Sequence, residues 1–352
     1  MAEMKILILG DLGLVDEASV KSEAMSKRTG DFGQYGAEVA YVTDPSLLSR
    51  GNSYSEAILR VEKEGADWVA YTPEVLEAVG DADVLVVHYS AVGAELIKAA
   101  PRLKFVGVLR SGAENVNVAE CFARGIKVSV TPGRLSEPVS DFTVAMILAL
   151  NRGISAGDLS KRAGWFVEPK RQPLLMKDAT FGLVGLGQIG AKVARRLSAF
   201  GGPRILAYDP FVKGEDALSM GVEPVELGTL MAESDFVSVH ARLTKETRGL
   251  IGEKEIALMK PDGCFVNTAR AGLVDEGALL RALQGGKIRG AALDVYSEEP
   301  LGEDHPLRKL DNVILTPHIA GRAGDTLSMS FDILAEEMHR FLKGEPLKNC
   351  VN

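Results

Sequence analysis

Residues 181–197 read FGLVGLGQIGAKVARRL, and this stretch decides the fold. An apolar run of strand length leads into Gly185-x-Gly187-x-x-Gly190, and residues with helical spacing follow. In a strand–turn–helix unit the first glycine allows a tight turn, the second lets a pyrophosphate approach the backbone, and the third lets the helix meet the strand. The phosphates then lie at the helix N-terminus. The stretch therefore predicts a dinucleotide-binding unit.

The next apolar run, RILAYDP, ends in an acidic residue, Asp209. It follows the glycines by about 20 residues, the separation at which a carboxylate binds both ribose hydroxyls. Because a carboxylate there would repel a 2′-phosphate, we expect NAD rather than NADP. The flanking strand and helix favour this interpretation over glycines that only turn a loop and an aspartate that only caps a strand.

Short apolar runs alternate with helix-spaced stretches along the chain, a rhythm typical of the α/β class. The length of 352 residues favours two domains. We predict two doubly wound parallel-sheet domains: a Rossmann NAD-binding domain over residues 110–319, and a smaller, discontinuous flavodoxin-like substrate domain over residues 1–109 and 320–352. The last helical stretch has no strand after it, so it should pack on the first domain. Residues 164–178 are the best candidate for a loop or a subunit-contact arm.

Composition narrows the range of partners. With 40 Lys+Arg against 48 Asp+Glu, the net charge is −8, which gives no general attraction to nucleic acid or to an anionic membrane. No stretch approaches the roughly 18 apolar residues of a membrane span. The three cysteines, Cys121, Cys264 and Cys350, lack metal or disulfide spacing and are expected to be small buried hydrophobes. We expect a cytoplasmic protein that binds no metal.

Ionisable residues follow three of the predicted strands: Arg270 after FVNTA, Glu298 or Glu299 after LDVYS, and His318 after VILTP. Because carboxyl ends of parallel strands line the binding crevice, these residues should converge beside a nicotinamide.

Oxidation of a 2-hydroxy acid at C2 removes a hydride and a proton, and an imidazole titrates in the range that a base requires. A neighbouring carboxylate would fix the imidazole tautomer. A guanidinium could bind the substrate carboxylate and the C2 oxygen. The residues alone therefore support hydride transfer with acid–base catalysis, and leave open which glutamate takes part.

The segments GLGQIG, YDP, NTARAGLVDEGALLRAL, GAALDVYSEEP and ILTPHIAG resemble the signatures of the D-isomer-specific 2-hydroxyacid dehydrogenases, the group that contains 3-phosphoglycerate dehydrogenase and glyoxylate/hydroxypyruvate reductase. The resemblance runs from APRLKFVGV to HIAG, with a looser match before it. It implies that Arg270 binds the substrate carboxylate and carbonyl, that Glu299 rather than Glu298 pairs with the histidine, and that His318 is the acid/base.

The same resemblance implies further site residues and a homodimer. Gln188 and Ile189 would lie at the pyrophosphate, and Asp294 would accept a hydrogen bond from the nicotinamide carboxamide. Beside the cofactor the resemblance places Ala241, Thr268, Ala269 and Ala320. The backbone amides of Ser111, Gly112 and Ala113 would hold the substrate carboxylate, and Ser90 would face the nicotinamide ring.

The segment RSGAENVN departs from the commoner glycine-rich pattern of the family and places Arg110 where glycine is usual. A cation there could select a phosphate, a second carboxylate or a polyol acid. It could equally form a surface or inter-domain ion pair, and both interpretations stay open. His88, at the end of the run VLVVH, either lines the pocket or only caps a strand.

Three alternatives to this function can be considered from the sequence. GISAG (153–157) matches the serine-hydrolase pattern G-x-S-x-G, but helical spacing before Ser155 contradicts the strand that this motif needs. An NAD(H)-sensing binding protein without turnover is an alternative from another class. A phosphite-type dehydrogenase is a second alternative, because phosphite oxidation uses a similar triad.

Overall fold

A computed structural model describes residues 4–11, 15, 31–49, 53–160, 172–324 and 326–352. The chain divides into two compact units. The first unit comprises residues 1–134 together with 324–352, and the second comprises residues 135–323.

The first unit contains a five-stranded parallel sheet of order β2-β1-β3-β4-β5. This is the flavodoxin-like order, in which β2 lies on one side of β1 and the later strands are added on its other side. The strands are β1 Met4–Asp11, β2 Ala37–Asp44, β3 Val84–Val87, β4 Phe105–Val108 and β5 Lys127–Val130. The helices described before residue 135 are α1 Tyr54–Glu64, α2 Pro73–Val79, α3 Ala94–Ala99 and α4 Val118–Ala123, with short 3-10 turns at Asp31–Tyr35 and Ser46–Leu48.

The second unit contains a seven-stranded parallel sheet of order β12-β11-β10-β9-β6-β7-β8, a Rossmann arrangement with one further strand. Its strands are β6 Thr180–Val184, β7 Arg204–Tyr208, β8 Glu223–Pro224, β9 Phe236–Val239, β10 Cys264–Asn267, β11 Gly290–Leu293 and β12 Val313–Leu315. The described helices are α5 Ser136–Arg152, α6 Ile154–Ser160, α7 Gln188–Ser198, α8 Gly214–Ser219, α9 Leu227–Glu233, α10 Glu253–Leu258 and α11 Glu276–Gln284. Short 3-10 turns lie at Met176–Asp178, Ala271–Leu273 and Pro306–Lys309.

The terminal helix, α12 (Thr326–Lys343), belongs to the first unit, as its lack of a following strand predicted. Phe331, Leu334 and Met338 share one apolar cluster with Ile6 of β1 and Phe105 of β4. A Cβ at Gly107 would lie 2.6 Å from the Leu334 side chain, so a larger residue there would force this side chain to shift. The first core is therefore complete only with residues from both ends of the chain.

A buried carboxylate fixes the last residues of the chain. Glu337 of α12 is fully buried and accepts hydrogen bonds from Ser129 Oγ and from the amides of Lys348 and Asn349. Cys350 then pairs in antiparallel fashion with Ser129 of β5. The C-terminal segment thus covers the edge of the first sheet, where unpaired backbone groups would otherwise remain.

We predicted domain boundaries at 109/110 and 319/320. In the structure the boundaries between the two compact units lie at 134/135 and 323/324. The reason is that β5 pairs with β4 and therefore continues the first sheet. The sequence shows an apolar run at β5 but does not show which sheet it joins.

Two smaller expectations have mixed outcomes. Cys121 and Cys264 are buried, as expected, whereas Cys350 is partly exposed. Of the segment 164–178, residues 164–171 lie outside the described residues, and 172–178 contain only the 3-10 turn at Met176–Asp178.

Within the described part of the chain, no helix is both long and apolar enough to cross a membrane.

Candidate active site

The structure brings His318 and Glu299 together. His318 follows β12 by three residues, and its Nδ1 lies 2.7 Å from Glu299 Oε2. The other carboxylate oxygen accepts the amide of Tyr296 at 3.0 Å, which fixes the glutamate. The contact at Nδ1 leaves Nε2 of the ring for proton transfer, and the His318 side chain is 48% exposed. Glu298 is exposed and contacts no other described residue through a hydrogen bond.

A buried carboxylate holds the loop that carries His318. Asp294 is fully buried, and its oxygens accept from Thr316 Oγ1 at 2.6 Å and from the amides of Ile319 and Ala320 at 2.9 and 2.8 Å. His318 has a φ of 52°, a left-handed conformation that non-glycine residues seldom adopt and that the surrounding contacts must hold. This positioning role was missed by the sequence analysis, and the contact of Asp294 with the carboxamide stays a prediction.

We expect Asp294→Asn to lower kcat by about 100-fold, since an amide cannot accept all three hydrogen bonds and a displacement of about 1 Å in a catalytic group has effects of this size. The unpaired amides should also cost about 1–3 kcal/mol of the free energy of unfolding. Steady-state kinetics and urea unfolding test both, with the exposed Asp304→Asn as the control. An unchanged kcat at reduced stability would contradict the role in positioning His318.

Arg270 lies on a turn fixed by the side chain of Asn267, the last residue of β10. Asn267 Nδ2 donates to the Arg270 carbonyl at 3.1 Å, and Asn267 Oδ1 accepts the amide of Ala269 at 3.0 Å. The Arg270 side chain is exposed and, among the described residues, has no carboxylate within ion-pairing distance. The turn thus presents a guanidinium that is available to an anion. Asparagine commonly makes such contacts with backbone two residues on, which is the signal that could have identified Asn267.

These groups follow neighbouring strands. In the sheet, β11 lies between β10 and β12, so Arg270, Asp294 and His318 follow three adjacent parallel strands at one edge. Glu299 also follows β11. The predicted grouping of the strand-end residues is therefore present in the topology.

The glycine loop has the geometry that the motif predicts. Gly185 has a φ of 100°, and a Cβ there would lie 2.6 Å from the amide of Ala241. A Cβ at Gly190 would collide with the Gly185 carbonyl, so helix α7 approaches β6 closely. At Gly187, by contrast, a Cβ would meet no atom within 4 Å. Open space therefore lies at the start of α7, where a pyrophosphate fits.

The other predicted cofactor residues lie around this loop and the strand ends. Asp209 Oδ2 accepts the amide of Leu186 at 2.8 Å, so the carboxylate is held against the glycine loop. Gln188 and Ile189 are the first residues of α7. Thr268 is buried, and its hydroxyl lies 2.8 Å from that of Thr143 on α5. The structure thus positions the loop for a dinucleotide, while the individual contacts stay predictions.

His240 follows β9 beside the glycine loop, and its Nε2 lies 3.0 Å from Ser238 Oγ. Burial lowers the pKa of His240 to about 4. An unfolded histidine titrates near 6.5, so between about pH 6.5 and 4 the unfolded chain binds a proton that the folded protein excludes. The stability contributed by the neutral ring is therefore present above this window and is lost as the pH falls through it.

We expect His240→Gln to reduce the acid sensitivity of the protein. The parent should lose up to about 1.4 kcal/mol per pH unit more than the variant within the window. Urea unfolding at about pH 7 and about pH 5 measures this difference, with His305→Gln as the control. Equal losses in parent and variant would show that His240 does not exclude a proton.

The predicted substrate residues of the first unit surround the turn after β4. None of the amides of Ser111, Gly112 and Ala113 donates a hydrogen bond to another described group, so they are available to a carboxylate. The exposed Glu114 side chain lies over Gly112 and would have to move aside. Ser90 is fully buried, and its carbonyl accepts from Asn115 at 2.9 Å.

Two interpretations from the sequence are corrected in this region. Arg110 is only 8% exposed and lies over the Tyr89 ring at 4.3 Å, so a surface ion pair is excluded. His88 is buried, with Nδ1 2.9 Å from Asp11 Oδ2, and so does more than cap its strand.

The G-x-S-x-G match is not a nucleophile elbow, because Ser155 lies within helix α6, which directly follows helix α5.

Comparisons with known proteins agree with this geometry. Residues 144–320 match the NAD-binding domain of the D-isomer specific 2-hydroxyacid dehydrogenases. A glyoxylate reductase from Korarchaeum cryptofilum is 42% identical over 283 residues, 79% of this chain and 85% of the relative. A D-3-phosphoglycerate dehydrogenase from Methanocaldococcus jannaschii is 40% identical over 88% of this chain, which spans 59% of that protein.

The resemblance extends to solved structures. The crystal structure of a glyoxylate reductase from Paecilomyes thermophila superposes with a TM-score of 0.72 at 26% identity, over 100% of this chain and 99% of that chain. The family that the sequence motifs resemble is thus confirmed by the family match and by the relatives. The chain belongs to the D-isomer specific 2-hydroxyacid dehydrogenases, a family of NAD-dependent oxidoreductases.

Proposed function

We propose that this protein is an NAD-dependent oxidoreductase that transfers a hydride between nicotinamide C4 and C2 of a D-2-hydroxy acid or its 2-oxo acid. The observation that carries the proposal is the His318–Glu299 pair, 2.7 Å apart, inside a domain that matches the family's NAD-binding domain. Hydride transfer is the chemistry that NAD supplies when bound.

In this proposal His318 moves the proton. Nε2 takes the proton of the 2-hydroxyl during oxidation and returns it to the carbonyl oxygen during reduction. Glu299 accepts from Nδ1, fixes the tautomer and favours the imidazolium that forms during oxidation. Asp294 positions the loop, as described above.

Arg270 binds the substrate in this proposal. Its forked guanidinium can contact the carboxylate and the C2 oxygen together, which fixes the orientation of C2 and stabilises negative charge on that oxygen. The amides of Ser111, Gly112 and Ala113 would bind the same carboxylate. Asp209, on the ribose, would favour NAD over NADP.

The test is NADH consumption with a panel of 2-oxo acids: glyoxylate, hydroxypyruvate, 3-phosphohydroxypyruvate and 2-oxoglutarate, each repeated with NADPH. We expect turnover of at least one acid and a preference for NADH. Tight NADH binding without turnover of any acid, and without oxidation of phosphite by NAD, would overturn the proposal in favour of a sensor. Phosphite oxidation alone would identify the phosphite-type enzyme.

The proposal also includes a cytoplasmic homodimer. An odd number of cysteines without disulfide spacing fits a reducing compartment, and the dimer follows from family resemblance. Light scattering coupled to size-exclusion chromatography tests the dimer, and fractionation of the native host tests the location. A monomer at working concentrations would contradict this part alone.

A further inference from the structure

Two arginines are buried at the carboxyl ends of strands in the first sheet. Arg110 follows β4 and Arg134 follows β5, and they are 8% and 9% exposed. The strands are neighbours, so both residues lie beyond the carboxyl ends of paired parallel strands. The Thr131 amide donates to the Arg110 carbonyl at 2.7 Å, which ties the two turns together.

Aromatic and imidazole rings complete the group, which we call the arginine cluster: Arg110, Arg134, His88, Tyr89 and Asp11. The Arg110 guanidinium lies 4.3 Å from the centre of the Tyr89 ring, and the His88 ring meets Tyr89 edge-on at 4.3 Å. Burial lowers the pKa of His88, the contact with Asp11 opposes this shift, and the two guanidinium charges add to it, so that the net direction is downward. All five residues belong to the first unit.

Among the described residues, the cluster contains two guanidinium groups and one carboxylate. Its one carboxylate, Asp11, already accepts from His88 Nδ1 and from the Tyr89 amide, each at 2.9 Å. Nε of Arg134 is buried and has no hydrogen-bond partner, and no described carboxylate lies within ion-pairing distance of this side chain. A guanidinium stays protonated even when buried, and a buried charge without a partner is costly. The arrangement is one that a bound anion would complete.

The location indicates which anion. Arg110 immediately precedes the amides of Ser111, Gly112 and Ala113, the group assigned above to the substrate carboxylate. We propose that Arg134, together with Arg110, binds a second anionic group of the substrate, a phosphate or a carboxylate remote from C2. This inference rests on the proposed function and narrows it to acids with two anionic groups. Guanidinium suits both anions because its fork matches two of their oxygens.

Kinetics of Arg134→Gln test the proposal. The parent should prefer 3-phosphohydroxypyruvate or 2-oxoglutarate to hydroxypyruvate and glyoxylate, and the preferred member of the first pair identifies the anion as phosphate or carboxylate. Arg134→Gln should lower kcat/KM for that acid by at least about 30-fold, the effect of removing one partner of a buried charge pair. It should leave kcat/KM for hydroxypyruvate within a few-fold of the parent.

Two further variants control the experiment. Arg134→Lys keeps the charge without the fork and should lose less than Arg134→Gln, which separates binding from a folding defect. Arg102→Gln removes an exposed arginine three residues before β4 and should change kcat/KM for neither the singly nor the doubly charged acids. Equal losses for singly and doubly charged acids, no loss, or a parent that prefers glyoxylate would each overturn the proposal.

A measurement of ligand binding, which needs no turnover, tests this inference separately from the proposed function. If no acid of the panel is reduced, calorimetric titration of the NADH-bound protein with D-3-phosphoglycerate and D-malate decides the matter. Binding that is lost in Arg134→Gln and kept in Arg102→Gln would support the anion site in a protein that is no dehydrogenase. Binding that is absent, or equal in both variants, would overturn the anion site.

Discussion

Replacement of His318 by alanine is expected to lower kcat by about 10² to 10⁴-fold, the range that general acid–base catalysis contributes. The Nδ1 contact with Glu299 at 2.7 Å leaves Nε2 as the proton carrier, and alanine has no group to replace it. Binding of NADH should stay within a few-fold of the parent, since the glycine loop and Asp209 lie on other strands. Stopped-flow turnover and a fluorescence titration of NADH measure the two effects.

A matched control for this prediction is His305→Ala. His305 caps the 3-10 turn at Pro306–Lys309 in the same unit and lies outside the proposed chemistry. The carboxylate has its own pair of variants: Glu299→Gln should lower kcat, whereas Glu298→Gln should not, because only Glu299 contacts the imidazole. Near-parent kcat in His318→Ala would remove the acid/base role from this residue.

Replacement of Arg270 by alanine is expected to lower kcat/KM by about 10² to 10³-fold, because a lost charged contact to substrate costs roughly 2–5 kcal/mol. The guanidinium donates from Nη1 to the Ala269 carbonyl at 2.7 Å and has no described carboxylate as a partner, so its other N–H groups are available to the substrate. Arg270→Lys should recover only part of the loss, since an ammonium cannot contact two acceptors in the fixed geometry of the fork.

Arg281→Ala is the control for Arg270→Ala, because Arg281 lies on helix α11 of the same unit and pairs with the exposed Glu253. Saturation kinetics with the preferred 2-oxo acid give kcat and KM separately. If Arg270→Ala changed KM for NADH and left KM for the oxo acid unchanged, the arginine would serve the cofactor and the assignment to substrate would fail.

The fold class followed from the sequence because strand-length apolar runs and glycine spacing are local signals. The geometry of Gly185, Gly187 and Gly190 could be predicted residue by residue, because the motif needs a residue without a Cβ at each of these positions. The edge position of β5, by contrast, depends on pairing between residues far apart in the chain. The first domain boundary could not be placed for that reason.

The site shows the same division between local and distant signals. His318 stood out as a polar residue at a strand end, and its partner was chosen from two adjacent glutamates by resemblance. The support of Asp294 for the His318 loop joins two strand ends through backbone amides, which carry no side-chain signature. Arg134 was missed because only the folded sheet shows that it is buried with no carboxylate from the described part of the chain beside it.

The divided first unit has a consequence for synthesis on the ribosome. Ile6 and Phe105 belong to an apolar cluster that Phe331 and Leu334 complete, and these helix residues are synthesised after residues 1–323. Domains generally fold as units in the order of their synthesis, and the continuous segment 135–323 meets that condition first. Until the helix residues are synthesised, the nascent first sheet has an uncovered apolar face. We therefore expect chaperone binding early in synthesis, and aggregation when translation stalls, to concentrate on this half of the protein.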